Sequence, residues 1–187
     1  MSLLSSFDSI DTPDLVLRRV HAGDLPALLM VNGDPEVTRF LPYRPWRDLD
    51  DAAAWLARMQ VLEDGGSGLQ LVLQRRADAA LLGTLLLFRL DADHGRVEIG
   101  YVLGRAHWGR GWMARAVRAT CAHAFGTLGL RRVEAEVQPA NQPSAGLLRH
   151  LGFHHEGTAR RRWVGLDGVP YDTLLFGLLA DDRVTGA

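Results

Sequence analysis

Apolar and non-apolar positions alternate through Val97-Glu98-Ile99-Gly100-Tyr101, the period of two that a half-buried strand shows. A few residues later the period changes. Met113, Ala116, Val117, Thr120 and Ala124 recur at the three- and four-residue spacing of an amphipathic helix. Between the two patterns lies a loop in which Gly109 and Gly111 bracket Arg110. Elsewhere, Leu15, Leu17 and Val20 predict a first strand, and a helix is expected from Ala22 to about Leu41. That helix starts near Asp24 with Pro26 in its first turn and has a break at Gly33-Asp34-Pro35. Residues 38–47 form an aromatic- and proline-rich loop, and a second helix with an acidic first turn runs from Asp48 to about Glu63. Strands follow at about Gln70–Arg76 and Ala80–Leu90, with a hairpin turn at Asp93-His94-Gly95 leading into the Glu98 strand. A helix from Gly111 to Leu128, a strand from Arg132 to Val137, a helix from Pro143 and a hairpin around Asp167-Gly168 complete the pattern. The order predicts an α/β fold: a mixed, mostly antiparallel sheet of six to seven strands flanked by about four helices. No repeat or linker divides residues 1–187, so a single domain is expected, with the Ser-rich residues 1–12 loose.

Composition narrows the function more by exclusion than by indication. A hydrophobic fraction of 47% and a charged fraction of 23% are ordinary for a globular chain of 187 residues. The formal charge of −1 gives no general attraction to nucleic acid or to an anionic membrane. No apolar run approaches the length of a membrane span, and no basic-then-apolar leader opens the chain, so a cytoplasmic location is expected. Cys121 is the lone cysteine and falls in a predicted helix, which leaves neither a disulfide framework nor a cysteine-based metal site. His107, His154 and His155 lack the companions of a metal site, so no metal is expected. The basic residues number 21 and all are arginine.

The strand–loop–helix junction at Gly109-Arg110-Gly111 is an anion-binding arrangement. Free amides and the positive end of a helix dipole converge there, glycines allow close approach, and Arg110 adds a fixed charge. Gly109-x-Gly111-x-x-Ala114 also satisfies the dinucleotide fingerprint, with Glu134 and Glu136 near the ribose-binding spacing. The preceding segments read as successive strands, however, not as the alternating strand–helix units of that fold. No Gly-Lys-Ser/Thr is present, which argues against a P-loop NTPase.

A second signature changes the picture. Asn141-Gln142-Pro143-Ser144 and the following Leu148, Gly152 and Phe153 come one strand after the loop. Together with Glu98-Ile99-Gly100-Tyr101 and Trp108-Gly109-Arg110-Gly111, this resembles the GNAT superfamily of acetyl-CoA-dependent N-acetyltransferases. The likeness is greatest to the Rim-type branch, which acetylates protein N-terminal amines. It extends from about Leu15 to about Leu179 and includes a closing Tyr171-Asp172-Thr173 strand. Three positions depart from the pattern: Met113 stands where Ala or Gly is usual, Arg115 where Glu is frequent, and Leu148 where many relatives carry a tyrosine acid.

The resemblance implies acetyl-CoA as co-substrate and an acceptor amine on a protein N-terminus or a small molecule. It implies Glu98 as base, acting directly or through water, while Asp91 and Asp93 sit in the predicted turn. Alternation places Glu98 on the face of Gly100 and Val102. Asn141 would bond the pantetheine arm and Ser144 would lie near the thioester sulfur; an Asn N-cap and an ordinary helix-start Ser are the plainer readings. A backbone N–H near Val102 or Leu103 would meet the oxyanion. Gly109, Arg110, Gly111, Met113 and Ala114 would hold the pyrophosphate, with Trp108 and Trp112 either on the cofactor or in the core. By the same analogy the 38–47 loop, with Arg39, Tyr43 and Trp46, and the hairpin near Trp163 would line the acceptor pocket; the same residues would equally close the loop over the core. A homodimer is implied, though no seam for one is legible. Two other functions fit: a small-amine acetyltransferase acting on an aminoglycoside- or polyamine-like acceptor, and an acyl-CoA-binding module without turnover.

Overall fold

Leu69, Gln70, Leu71, Val72 and Leu73 are all buried, so the strand that contains them must be covered on both faces. Leu71 and Leu73 join one apolar cluster and Val72 another, as the alternation of side chains along a strand requires. This strand lies near the middle of one half of an eight-stranded sheet. The computed structural model describes Leu4 and residues 7–182. The strands are β1 Ser9–Asp11, β2 Leu15–Arg19, β3 Leu69–Arg75, β4 Leu81–Asp91, β5 Arg96–Leu103, β6 Arg132–Val137, β7 His154–Val164 and β8 Pro170–Leu179. Five α-helices accompany them: α1 Leu25–Asn32, α2 Pro35–Thr38, α3 Leu49–Asp64, α4 Trp112–Gly126 and α5 Gln142–His150.

The sheet order is β1-β2-β3-β4-β5-β6-β8-β7. Every neighbouring pair is antiparallel except β5 with β6. The mixed, mostly antiparallel character follows the sequence expectation. The strand count does not: eight replace six or seven, and five helices replace about four. The extra strand is β1, in the segment expected to be loose. Ser9, Ile10 and Asp11 pair with Arg18, Leu17 and Val16, and Leu4, Phe7 and Ile10 are buried. Apolar side chains at positions 4, 7 and 10 outweigh the Ser-rich composition. Residues 1–3, 5 and 6 lie outside the described residues.

On one face of the sheet, α4 and α5 pack through Met113, Ala116, Val117, Cys121, Ala124, Ala145 and Leu148. On the other, Leu25 and Leu28 of α1 meet Ala52, Trp55 and Leu56 of α3 over Val72. The break foreseen at Gly33-Asp34-Pro35 is real: α1 ends at Asn32, and the Asp34 side chain caps α2 by accepting from the Glu36 amide. Asp48 caps α3 likewise, accepting from the amides of Asp50 and Asp51. No helix among the described residues is long and apolar enough to cross a membrane.

Candidate active site

The parallel contact between β5 and β6 is short. Arg96, Val97 and Glu98 face Arg132, Val133 and Glu134, and no pairing continues beyond them. Past Glu98 the two strands part. The gap becomes a cavity of about 270 Å³, with Glu98, Gly100 and Tyr101 on one wall and Glu136, Val137 and Asn141 on the other. Splayed parallel strands leave main-chain groups without ladder partners, which suits the approach of a ligand's own polar groups.

Glu98 sits at the point of divergence. Val97 and Ile99 are buried in the cluster under α4 and α5, so alternation turns Glu98 to the other face. Its residue is 7% exposed, little for a carboxylate. The Arg89 guanidinium compensates, with Nη1 donating to Glu98 Oε2 at 2.7 Å. Burial pushes the Glu98 carboxyl above its ordinary value; Arg89 opposes that push, and Glu136 and Glu134 add to it. A carboxylate raised in this way is a better base near neutral pH than an exposed one.

Ser144 reaches the same cavity from the first turn of α5. Asn141 caps that helix, its Oδ1 accepting from the Ser144 amide at 3.3 Å. The N-cap reading of Asn141 thus holds, and the side chain also lines the cavity. The Ser144 hydroxyl lies 2.8 Å from the Tyr101 phenol. Burial pushes that phenol up to about 12, so it stays protonated at neutral pH. Leu148, at the position of the missing helix tyrosine, is fully buried. A tyrosine hydroxyl is nevertheless present at the site, delivered by β5.

The Gly109-Arg110-Gly111 loop has the shape an anion needs. Gly109 and Gly111 adopt left-handed backbones, with φ of 71° and 74°. A Cβ at either would meet nothing within 4 Å, so the space before the loop is open. Gly111 caps α4, and the amides of Trp112, Met113 and Ala114 fall in the first turn, where no helical carbonyl reaches them. Arg110 is exposed and forms no ion pair among the described residues. The Met113 side chain turns into the core at 5% exposure, so the departure there does not narrow the loop. Trp112 packs against the core beneath Arg115, whose guanidinium lies 4.8 Å from the ring centroid. Trp108 is exposed, and its indole N–H donates to the Leu103 carbonyl at 2.7 Å, tying the loop to the end of β5 beside Val102.

None of Arg39, Tyr43 and Trp46, the loop residues expected to line an acceptor pocket, lines the cavity. Trp46 is 6% exposed and stacks at 5.2 Å on Trp55 between α1 and α3. The Tyr43 hydroxyl donates to Asn32 Oδ1 at 2.8 Å, and burial raises its pKa. Both close the loop over the core. Arg39 is exposed, its guanidinium resting over Phe40, and lies outside the cavity lining. Phe40, Leu41 and Pro42 line the cavity instead. An irregular loop has no period to separate inward from outward side chains, so these three carried no signal. Trp163 lines the cavity as foreseen. Arg89, Phe88, Tyr101 and Glu136 are additions; in the sequence Tyr101 stood only as part of the strand motif and Glu136 only near a ribose-binding spacing. Among the described residues, no three His, Cys, Asp or Glu side chains gather as a metal site would require.

Comparison with known proteins fits this geometry. The family described as Acetyltransferase (GNAT) domain matches residues 14–154. The N-acetyltransferase p20 of Bacillus licheniformis is 33% identical over 172 residues, covering 92% of this chain and 96% of that protein. The ribosomal protein uS5-alanine N-acetyltransferase of Escherichia coli is 28% identical over 184 residues, covering 95% and 93%. Among solved structures, spermidine N-acetyltransferase from Vibrio cholerae, in complex with CoA and spermine, superposes with a TM-score of 0.78. It is 19% identical and covers 91% of this chain and 98% of that one, which is a likeness of fold. The family match spans the loop, the Glu98 strand and the Ser144 helix, and the chain therefore belongs to the GNAT family as an acetyl-CoA-dependent N-acetyltransferase.

Proposed function

We propose that this enzyme acetylates the N-terminal α-amine of a protein or peptide in the cytoplasm, acting as one acetyltransferase unit with Glu98 as base. The observation that carries the reading is the placement of a buried carboxylate and a Ser–Tyr hydroxyl pair on one cavity at the parting of β5 and β6. Bound acetyl-CoA supplies an activated thioester carbonyl and a thiolate leaving group. The open loop fits its diphosphate: the amides of Gly109 to Ala114 and the Arg110 guanidinium would hold it.

Glu98 accepts the proton that the attacking amine gives up, directly or through a water. An α-amine, with a reference pKa of about 7.7–8.0, needs only a modest base at neutral pH. The nitrogen bonds to the carbonyl carbon as the carbon–sulfur bond breaks. Main-chain N–H groups near Val102 and Leu103 face the oxygen as it becomes negative. Of the two protons of the Ser144–Tyr101 pair, one joins the hydroxyls and the other is donated to the departing sulfur. Full proton transfer from a phenol held near 12 to a thiolate whose thiol has pKa about 8.5 is uphill, so the pair stabilises the thiolate more than it protonates it.

The acceptor class rests on two supports. The uS5-alanine enzyme of Escherichia coli is similar over almost the whole chain. The cavity also surrounds its carboxylates with Phe40, Leu41, Pro42, Phe88 and Trp163, walls suited to the first side chain of a peptide. The test is an acceptor screen of peptides and amines read out by released thiol. Peptides should be acetylated at their α-amines, and Glu98→Gln should lose turnover about 10²–10⁴-fold while still binding acetyl-CoA. Transfer to small amines alone, or Glu98→Gln retaining full activity, would overturn the reading.

A further inference from the structure

Arg89 belongs to no motif, yet it lines the cavity beside Glu98. Phe88 pairs with Glu98 and Asp91 with Arg96, so Arg89 and Leu90 together oppose the single residue Val97. This is a β-bulge, and Arg89 within it has a φ of 52°, a left-handed backbone unusual for a side chain other than glycine. Regular alternation would send Arg89 to the face opposite Phe88 and Glu98. The bulge brings it back to theirs. A non-glycine residue held in this backbone is strained, and such strain collects at functional positions.

The guanidinium bridges two carboxylates. Its Nη1 lies 2.7 Å from Glu98 Oε2 and 3.4 Å from Glu136 Oε1. Its side chain is 60% exposed, whereas that of Glu98 is 9% exposed, so an exposed cation caps a buried anion from the solvent side. An ion pair with one solvated partner is weaker than a fully buried one, and a second cation can take that partner's place. The neighbouring arginines are already engaged, Arg132 also with Glu156 and Arg96 also with Asp91. Arg162 clasps Glu136 through Nε and Nη2, and Arg132 and Arg96 hold Glu134. When Arg89 swings out, Glu98 loses its cationic partner.

We propose, building on the acceptor reading above, that the Arg89 guanidinium holds in the free enzyme the place that the acceptor's ammonium takes between Glu98 and Glu136, and that the site is built for one ammonium and not for a polycation. The acceptor enters charged, displaces Arg89, and gives one proton to Glu98 before attack; the second proton, lost from its nitrogen as the amide forms, passes to the departing thiolate. The acetylated product is a neutral amide that cannot hold the position between the carboxylates, so Arg89 returns and assists its release.

Calorimetric titration of the CoA-bound enzyme with glycinamide, an α-amine probe, tests this without turnover. Arg89→Met keeps an apolar stem over Phe88, and Arg89→Gly suits the left-handed backbone, so at least one variant should fold. Both should bind glycinamide about fivefold more tightly than wild type, the scale of a partly exposed ion pair. CoA affinity should not change, methylguanidinium should compete with glycinamide in both variants, and spermidine should bind no more tightly than glycinamide. Equal or weaker glycinamide binding in both variants overturns the proposal, as does methylguanidinium that restores lost turnover instead of competing. A tenfold preference for spermidine overturns the single-charge site. If wild type acetylates no amine while the variants still bind glycinamide more tightly, the ammonium site stands and the acceptor reading falls. If peptide transfer holds and binding is unchanged, Arg89 falls alone.

Discussion

The hydroxyls of Tyr101 and Ser144 lie 2.8 Å apart, joining the end of β5 to the first turn of α5 across the cavity. Tyr101 shares its strand face with Ile99, opposite Glu98, so the hydroxyl pair and the carboxylate stand on the two faces of one strand. In the proposed reaction the pair serves the leaving sulfur and the carboxylate the attacking amine.

Ser144→Ala should lower kcat about 10- to 100-fold with little change in acetyl-CoA affinity, because a thiolate leaves tolerably without a strong acid. Tyr101→Phe should cost less, since the serine hydroxyl remains. The double variant should be little worse than Ser144→Ala alone, the non-additivity of a coupled pair, measured by thiol release under saturating acetyl-CoA.

Glu98→Gln should make the protein more stable at neutral pH. The folded-state carboxyl titrates above the unfolded value of 4.5, so between the two pKa values the folded state holds more protons. Stability associated with Glu98 is therefore full below the unfolded value and lost as pH rises through the folded one. Melting temperatures across the acid range should show the variant ahead at neutral pH and the gap closing below about pH 4. A gap that persists unchanged into acid would contradict the assignment.

Gly111→Ala should be destabilised by about 1 kcal/mol, because alanine resists a φ of 74°. It should also lose part of the thermal protection that CoA gives wild type. Gly146→Ala is the contrasting case. Gly146 is exposed within α5, and a Cβ there meets nothing within 4 Å, so alanine should stabilise by about 0.5–1 kcal/mol. Paired denaturant titrations separate the two.

The absence of lysine leaves the N-terminal amine as the only primary amine of the chain. Intact-mass measurement after long exposure to acetyl-CoA should show at most one added acetyl group. Two or more would require acetylation of another side-chain type.

Much of the scaffold is written in short-range patterns. The burial of Met113, Ala116, Val117, Thr120 and Ala124 along α4 follows their spacing, and Asp48 and Asn141 cap the helices they precede. Glu98 could be placed on a strand face opposite Val97 and Ile99 before any tertiary contact was known. The glycine loop was legible because only glycine takes its left-handed backbone easily. The failures have equally physical causes. Residues near the N-terminus read as loose from their serines, but Phe7 and Ile10 had a core to reach. Tyr43 and Trp46 lie in a loop, where position along the chain does not say which side chain turns inward.

The sequence by itself determined the periods, the caps, the left-handed glycines and the acidic residue at the head of the cavity, because each depends on neighbours a few positions away. Only the tertiary structure decided where β5 and β6 stop pairing, that a bulge turns Arg89 onto Glu98, and that Tyr101 meets Ser144 across 43 positions of chain. Those relations depend on the register between distant strands, which no local pattern encodes.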